Sequence, residues 1–333
     1  MTISKNKPIL VTGASGHLGY TICKVLKEQN YKVRVLIRSD SCLSYLSEFV
    51  DEVSYGDVTD FDSLVKATSG VERVIHSAGL ITIGHEKKKE VYKVNVDGTK
   101  NVVEACLLNS VTRLVYVSSA YAVGYKTNSE IIVEKEFYDE KLVHSNYAKS
   151  KALSSSYVLG IDQSKLQTVV CMPTGIIGPG AYKGSHLGNF LRLIYKRKMP
   201  CSLKGSYNFV DVRDTADAVV NAMLIDKSGE SYLIGGENMT VSEILNFLGE
   251  KGHVKVPTFE CPLFLVRAVA PFVEFGSWIA HKDPLFTGNA VSVLNSNDNF
   301  DCSRAKNELG LKIRPVEESL FEQYCFVNNI EQN

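Results

Sequence analysis

Pro8-Ile9-Leu10-Val11-Thr12-Gly13-Ala14-Ser15-Gly16-His17-Leu18-Gly19 decides the fold. The run up to Thr12 is short and apolar and ends at a glycine, as a buried strand does. Gly13, Gly16 and Gly19 follow at GxxGxxG spacing. The first permits a tight exit from the strand, the second a close backbone approach to phosphate, and the third close packing of helix on strand. From Leu18 to Gln29 the apolar residues Leu18, Ile22, Val25 and Leu26 recur at helical spacing. A helix starting near His17 turns unpaired N–H groups and its positive dipole end toward the glycines. Strand, glycine turn, helix and second strand in that order predict a dinucleotide site, with Ser15, His17 and Leu18 beside the glycines.

The same alternation continues outward. Lys32 to Ile37, Val53 to Gly56, Val71 to His76, Arg113 to Val117 and Leu166 to Met172 read as strands. Amphipathic segments lie between them; the longest, Glu86 to Leu108, is interrupted near Asp97-Gly98. Buried parallel strands joined by helices predict an α/β protein with a doubly wound parallel (Rossmann) sheet. After Pro173 the rhythm loosens, and Gly175, Gly178, Pro179, Gly180 and Gly184 mark a long loop. Ser185 to Lys198 reads as a helix, Tyr207 to Val212 as a strand, Asp214 to Ile225 as a helix, and Glu230 to Ile234 as a strand returning to the main sheet. From about residue 237 onward a small, mostly helical cap is expected. The predicted division is a nucleotide-binding domain with the catalytic residues over 1–175 and a substrate-binding lobe over 176–333, interleaved with returning elements at about 205–235.

Composition narrows the function. Lys+Arg and Asp+Glu both total 37, so no bulk field draws in nucleic acid or an anionic membrane. The eight cysteines are scattered without a CxxC, which predicts reduced, mostly buried thiols and neither a disulfide frame nor a metal site. With no signal-peptide pattern before the first strand, a cytoplasmic protein is expected. Cys261 to Ala280 is apolar but interrupted by Arg267, Pro271 and Glu274, which predicts short buried or lid-forming helices, with surface membrane association as the alternative, and no transmembrane segment.

The strand ends carry the chemistry. The second strand ends in Ile37-Arg38-Ser39, where a carboxylate would favour NAD. Arg38 can pair with a 2′-phosphate and Ser39 can add a hydroxyl, so NADP(H) is the expected cofactor, with NAD(H) as the alternative. Asp57 can accept from an adenine amino group while Val58 packs on its ring. Ser77, Ala78 and Gly79 are small enough to leave room for a ribose. Tyr147 and Lys151 stand at i and i+4 on a predicted helix and share a face. A nearby ammonium favours phenolate, which makes Tyr147 a usable proton donor or acceptor, and Lys151 can also bind the nicotinamide ribose. Ser118 and Ser119 close the fifth strand, and one of these hydroxyls can hold a substrate oxygen. His76 and His144 read as structural, Tyr121 as core or substrate wall, and Ser154-Ser155-Ser156 as a small-residue helix surface.

Together these motifs resemble the extended short-chain dehydrogenase/reductase family over nearly the whole chain. Asn95-Val96-Asp97-Gly98-Thr99 is similar to its NVxGT signature, with Asn95 supporting the active site and placed among the cofactor contacts. Tyr116-Val117-Ser118-Ser119-Ala120 resembles its strand-five serine motif, which carries the catalytic hydroxyl to Ser119 and leaves Ser118 toward the cofactor. Tyr147-Ala148-Lys149-Ser150-Lys151 matches its catalytic helix. Pro173-Thr174-Gly175-Ile176 matches the loop that borders the nicotinamide, although Met172 stands where arginine is common. Asp301-Cys302-Ser303-Arg304-Ala305 is similar to a late signature of the family. Nucleotide-sugar epimerases and dehydratases of the family carry an arginine-aspartate pair where this chain has Tyr207-Asn208. The resemblance therefore leans to the dihydroflavonol reductase and 3β-hydroxysteroid dehydrogenase branch. It implies an NADP(H)-dependent reductase of a ketone or aldehyde on a medium-sized, largely apolar small molecule, steroid- or flavonoid-like. Leu80, Ile81, Ile83, Tyr121, Ile176 and Tyr182 would be its pocket walls. An epimerase or dehydratase holding NAD, and a non-catalytic dinucleotide sensor, are the alternatives. A homodimer through the helices near Glu86 and Ser145 follows from the resemblance alone.

Overall fold

A computed structural model describes residues 6–41, 44–81, 88–124, 130–180, 186–199, 201–262, 264–266 and 298–332. Its centre is β1 (Ile9–Thr12), every residue of which is buried. Such a strand needs cover on both faces, and the chain supplies it with helices between most of the strands. In order come α1 (His17–Glu28), β2 (Val33–Ile37), β3 (Glu52–Tyr55), α2 (Phe61–Thr68) and β4 (Arg73–His76). Then follow α3 (Lys88–Tyr92), α4 (Gly98–Leu108), β5 (Arg113–Val117), α5 (Asn146–Leu159) and β6 (Gln167–Pro173). The expected break near Asp97-Gly98 is real: Lys93–Asp97 is wound as a wide π turn between α3 and α4.

The main sheet has seven strands in the order β10-β6-β5-β4-β1-β2-β3, where β10 is Glu230–Ile234. Every pairing in it is parallel. The winding reverses between β1 and β4, the switch point at whose carboxyl ends sheets of this kind bind ligands. The glycine turn leaves β1 there.

The expected long loop after Pro173 is only partly a loop. Gly175–Ile177 is a strand, β7, in a second sheet ordered β11-β9-β7, with β9 at Ser206–Asp211 and β11 at Glu237–Thr240. Gly175 reads as a loop residue, but its lack of a side chain serves packing: a Cβ there would lie 3.0 Å from the Asn208 carbonyl oxygen and the Phe209 ring. Between these strands lie α6 (His186–Tyr195), β8 (Ser202–Leu203) and α7 (Val212–Ala222). After β11 come α8 (Val241–Lys251), β12 (Glu260–Cys261), α9 (Ser303–Leu309) and α10 (Val316–Gln332). Ile177, Leu191, Phe209, Ile244, Leu248 and Leu320 bury a second core there, separate from that of the main sheet. The lobe beyond residue 237 is not all cap: α9 packs on α7 and β10 and buries Ala305 and Leu309 in the main core.

Helix starts follow their caps. Asp60, Ser145 and Asp211 each accept from a backbone N–H of the first turn, and Thr240 with Glu243 forms a reciprocal capping box. α1, which follows Gly16, starts with no side-chain cap and no acidic residue in its first turn, as do α4 and α9. Of the cysteines, Cys23, Cys106, Cys171 and Cys302 are buried free thiols, while Cys201, Cys261 and Cys325 are partly exposed and Cys42 lies outside the described residues. Most of Cys261 to Ala280 also lies outside them. Among the described residues no helix is long and apolar enough to cross a membrane, and no cluster of metal-ligating side chains forms.

Candidate active site

The glycine turn is shaped by close backbone contacts. Gly13 has φ +73, and a Cβ on it would sit 2.6 Å from the Ala78 nitrogen; one on Gly19 would run into the Gly13 carbonyl. Gly16 donates its N–H to the Gly13 carbonyl at 2.9 Å, closing the turn. Two contacts brace it from outside. Tyr45 donates its hydroxyl to the Ser15 carbonyl at 3.1 Å, and His17 Nε2 is 3.0 Å from the Pro179 carbonyl. Burial pushes the His17 pKa down, so the ring is neutral and Nε2 carries the proton given to Pro179. Leu18 is buried in the main core.

Around this turn the strand ends present the expected residues. Arg38 and Ser39 are exposed after β2, and Arg38 Nε lies 3.4 Å from Asp40 Oδ1. Asp57 accepts from the Thr59 N–H and hydroxyl, 2.9 and 2.8 Å away, through one carboxylate oxygen. Val58 is buried against Gly98. Ser77 donates to the Thr12 carbonyl at 2.7 Å, and Ala78 donates its N–H to the Thr12 hydroxyl. A Cβ on Gly79 would sit 3.3 Å from Lys151 Nζ, so the open face of this loop adjoins the lysine.

The sequence reading places Asn95 and Ser118 among the cofactor contacts, and Asn95 also in support of the helix and sheet behind the active site; both side chains hydrogen-bond within the protein frame. Asn95 accepts from the Leu80 N–H at 2.8 Å and donates to the Leu80 carbonyl and the Ser150 hydroxyl at 3.0 and 2.9 Å. Ser118 lies 2.6 Å from Ser155 Oγ. Asn95→Ala leaves these partners unpaired and is expected to cost about 2 kcal/mol, measured by urea unfolding.

Tyr147 and Lys151 lie on one face of α5 against the end of β5. Ser119 caps the short turn Ala120–Val123, and its hydroxyl hydrogen-bonds the Tyr147 phenol. The Tyr147 side chain keeps an exposed edge while its hydroxyl is enclosed by protein. Enclosure pushes the phenol pKa up, against the downward pull of Lys151 and then of Ser119. The expected pull toward neutrality is present but is outweighed by burial. Lys151 is buried and donates to the Val117 carbonyl at 2.9 Å. Its own pKa is lowered by burial, with Tyr147 acting the other way.

His76 is wholly buried behind this pair, its pKa pushed down to about 3, chiefly by burial and then by Lys151. It accepts from the Thr12 hydroxyl at Nδ1, 2.7 Å away, and donates from Nε2 to Thr99 Oγ1, 3.1 Å away. Ser154 and Ser155 are not a surface. Both are buried and hydrogen-bonded, and Ser156 pairs with both backbone groups of Tyr138. Their signal was readable in principle: Ser150 and Ser154, like Lys151 and Ser155, stand at i and i+4 on a helix with no continuous apolar stripe.

Pro173 ends β6, the Thr174 N–H donates to the Ile234 carbonyl at 3.0 Å, and Gly175 and Ile176 belong to β7. Tyr121 is half-buried against the main core, Leu80 is half-buried and Ile81 is exposed. Ile83 and Tyr182 lie outside the described residues. Asn208 is buried and stitches the second sheet, accepting from the Gly236 N–H at 3.0 Å and donating to Asn238 Oδ1 at 2.7 Å.

A doubly wound parallel sheet with a glycine turn after β1 and a Tyr-x-x-x-Lys helix against β5 defines an extended short-chain dehydrogenase/reductase. A sequence profile of the 3-beta hydroxysteroid dehydrogenase/isomerase family matches residues 10–238, and the chain belongs to that family. It is 31% identical over 307 residues to sterol demethylase protein B of Methylococcus capsulatus, covering 91% of this chain and 92% of that one. Over 196 residues it is 36% identical to mouse 3 beta-hydroxysteroid dehydrogenase type 7, covering 51% of this chain and 50% of the other. The crystal structure of gox2253 superposes with a TM-score of 0.84 at 27% identity, covering 98% of this chain and 99% of that one.

Proposed function

We propose that this chain is an NADP(H)-dependent oxidoreductase that reduces a ketone or aldehyde, and reversibly oxidises the alcohol, on a medium-sized, largely apolar substrate. The observation that carries the reading is the meeting of Tyr147, Ser119 and Lys151 at the carboxyl end of β5, one strand from the loop at Gly79. The dinucleotide fits the residues present. Gly13 and Gly19 leave no room for a Cβ, and the uncapped, acid-free start of α1 leaves its N–H groups for a pyrophosphate. Gly13, Ser15, Gly16 and the first turn of α1 would hold the phosphates, Arg38 and Ser39 the adenosine ribose, and Lys151 the nicotinamide ribose. When bound, that group supplies or accepts the hydride.

The chain's own residues handle the oxygen and its proton. Ser119 orients the carbonyl oxygen through its hydroxyl, and Tyr147 gives that oxygen its proton as the carbon is reduced. Lys151 stabilises the phenolate left behind. In the reverse direction Tyr147 takes the proton from the alcohol. A sterol-like skeleton is supported by the names of the relatives, one a sterol demethylase protein and one a hydroxysteroid dehydrogenase. The epimerase reading is less well supported, because Asn208 is committed to Gly236 and Asn238 rather than to a ligand.

A panel of steroid, flavonoid and simple aldehyde substrates, followed by NADPH absorbance, tests the activity; NADPH consumption with none of them counts against the reading. Cofactor choice rests on Arg38. Its contact with Asp40 joins two exposed groups and is weak, so a 2′-phosphate can take the guanidinium from it. KM for NADPH is expected below that for NADH, and Arg38→Glu to erase the difference by about tenfold or more. Equal use of NADH by the unaltered protein overturns the NADP assignment.

A further inference from the structure

Behind Lys151 lies a second phenol that the chemistry above does not use. Tyr116, in β5, is among the largest fully buried side chains of the protein. Lys151 Nζ is 3.3 Å from its hydroxyl and 4.8 Å from its ring centroid. The shorter approach is to the oxygen, so the ammonium sits at the hydroxyl end of the ring and the lone pair, not the π face, is the contact.

Which way the phenolic proton points is decided by its neighbours. The hydroxyls of Thr99, Ser154 and Ser118 surround the Tyr116 hydroxyl. Thr99 gives its own proton to the Asn95 carbonyl at 2.6 Å, and Ser154 gives its proton to the same carbonyl at 2.7 Å. Ser155 donates to the Lys151 carbonyl at 2.7 Å, so the proton in the Ser118–Ser155 contact comes from Ser118. All three hydroxyls are therefore acceptors toward Tyr116. The phenol must donate to one of them, which leaves its lone pair facing the ammonium.

Lys151 has little else. Among the described residues, the titratable groups that face it are Tyr147 on its own helix, Tyr116 on β5 and the neutral His76 on β4. No carboxylate among the described residues pairs with it, so two oxygen dipoles, those of Val117 and Tyr116, hold a buried cation. Resting on the functional reading above, we propose that Tyr116 is a positioning residue whose hydroxyl, oriented by Thr99, Ser154 and Ser118, holds the Lys151 ammonium in place beside Tyr147.

Tyr116→Phe removes the oxygen and keeps the ring; Tyr116→Met, which removes the oxygen and the ring together, is the second variant if the first fails to fold by circular dichroism. The first readout needs no turnover. In protein labelled at lysine Cε, with the Lys151 resonance assigned by its loss in Lys151→Arg, the Lys151 midpoint is expected to fall by about one pH unit in the Tyr116 variant. With its ammonium lost earlier, Tyr147 ionises later. The rising limb of the alcohol-oxidation profile is therefore expected to move up by about one pH unit, with kcat lower by roughly tenfold at neutral pH. An unchanged Lys151 midpoint in a folded variant overturns the proposal. A shifted midpoint in a protein that turns over no carbonyl substrate supports the positioning role and counts against the functional reading alone.

Discussion

Tyr147→Phe removes nearly all turnover and leaves dinucleotide binding intact. The substitution deletes one oxygen. Ser119 loses a hydrogen-bond partner, but the ring and its packing on α5 remain. What goes is the proton that the reduced oxygen needs, a contribution of roughly a hundredfold to ten-thousandfold in general acid catalysis. The check is steady-state NADPH oxidation beside fluorescence titration of the cofactor. A variant keeping more than about a tenth of the rate contradicts the role, since that is below the smallest effect expected. The direction of the pKa shift adds a second signature. Burial holds the phenol above its ordinary value despite Lys151 and Ser119, so the donor form persists at neutral pH. Carbonyl reduction is then expected to be flat from about pH 6 to 8, while alcohol oxidation, which needs phenolate, rises with alkali. A reduction rate falling through that window contradicts the assignment.

Gly19→Ala is expected to disable the cofactor end of the site. The added Cβ would meet the Gly13 carbonyl, which is backbone and belongs to the turn itself. Relief requires α1 to move away from β1, and α1 is packed firmly against α7. Overpacking of this kind costs about 1–3 kcal/mol and displaces the N–H groups at the helix start. Dinucleotide affinity is expected to fall by roughly a hundredfold, with a lower thermal midpoint. Calorimetric titration and thermal unfolding read the two effects, and unchanged affinity would show that the turn does not bind the pyrophosphate.

Much of this arrangement was legible before any coordinates. Parallel strands buried on both faces announce themselves by continuous apolar runs, and β5 and β10 fall at the residues expected for them. Tyr147 and Lys151 share a face because their spacing on a helix leaves no other outcome. The errors have a common cause. Gly175 reads as a loop residue because glycine is permissive, whereas here it lies under Phe209 in a strand. Ser154 and Ser155 read as surface because polarity in sequence does not say which partner satisfies it. Only the three-dimensional meeting of β4, β5, α4 and α5 shows those groups satisfying one another. Tyr116 was invisible for the same reason: within an apolar strand its ring counts as core, and its hydroxyl has meaning only next to Lys151.

The π turn at Lys93–Asp97 gives chain length a meaning of its own here. A coil of this width holds one residue more than the α-helical path between the same ends. Deleting a single amino acid would close it to an ordinary α-helical turn, leaving α3 and α4 in place but re-aiming the backbone groups inside it. Asn95 stands in the middle of that coil, and its carbonyl takes the protons of Thr99 and Ser154. A one-residue deletion would thus scramble the proton order behind the lysine without altering any side chain that meets substrate, and homologous enzymes sharing this network should keep the length of this turn as closely as they keep its asparagine.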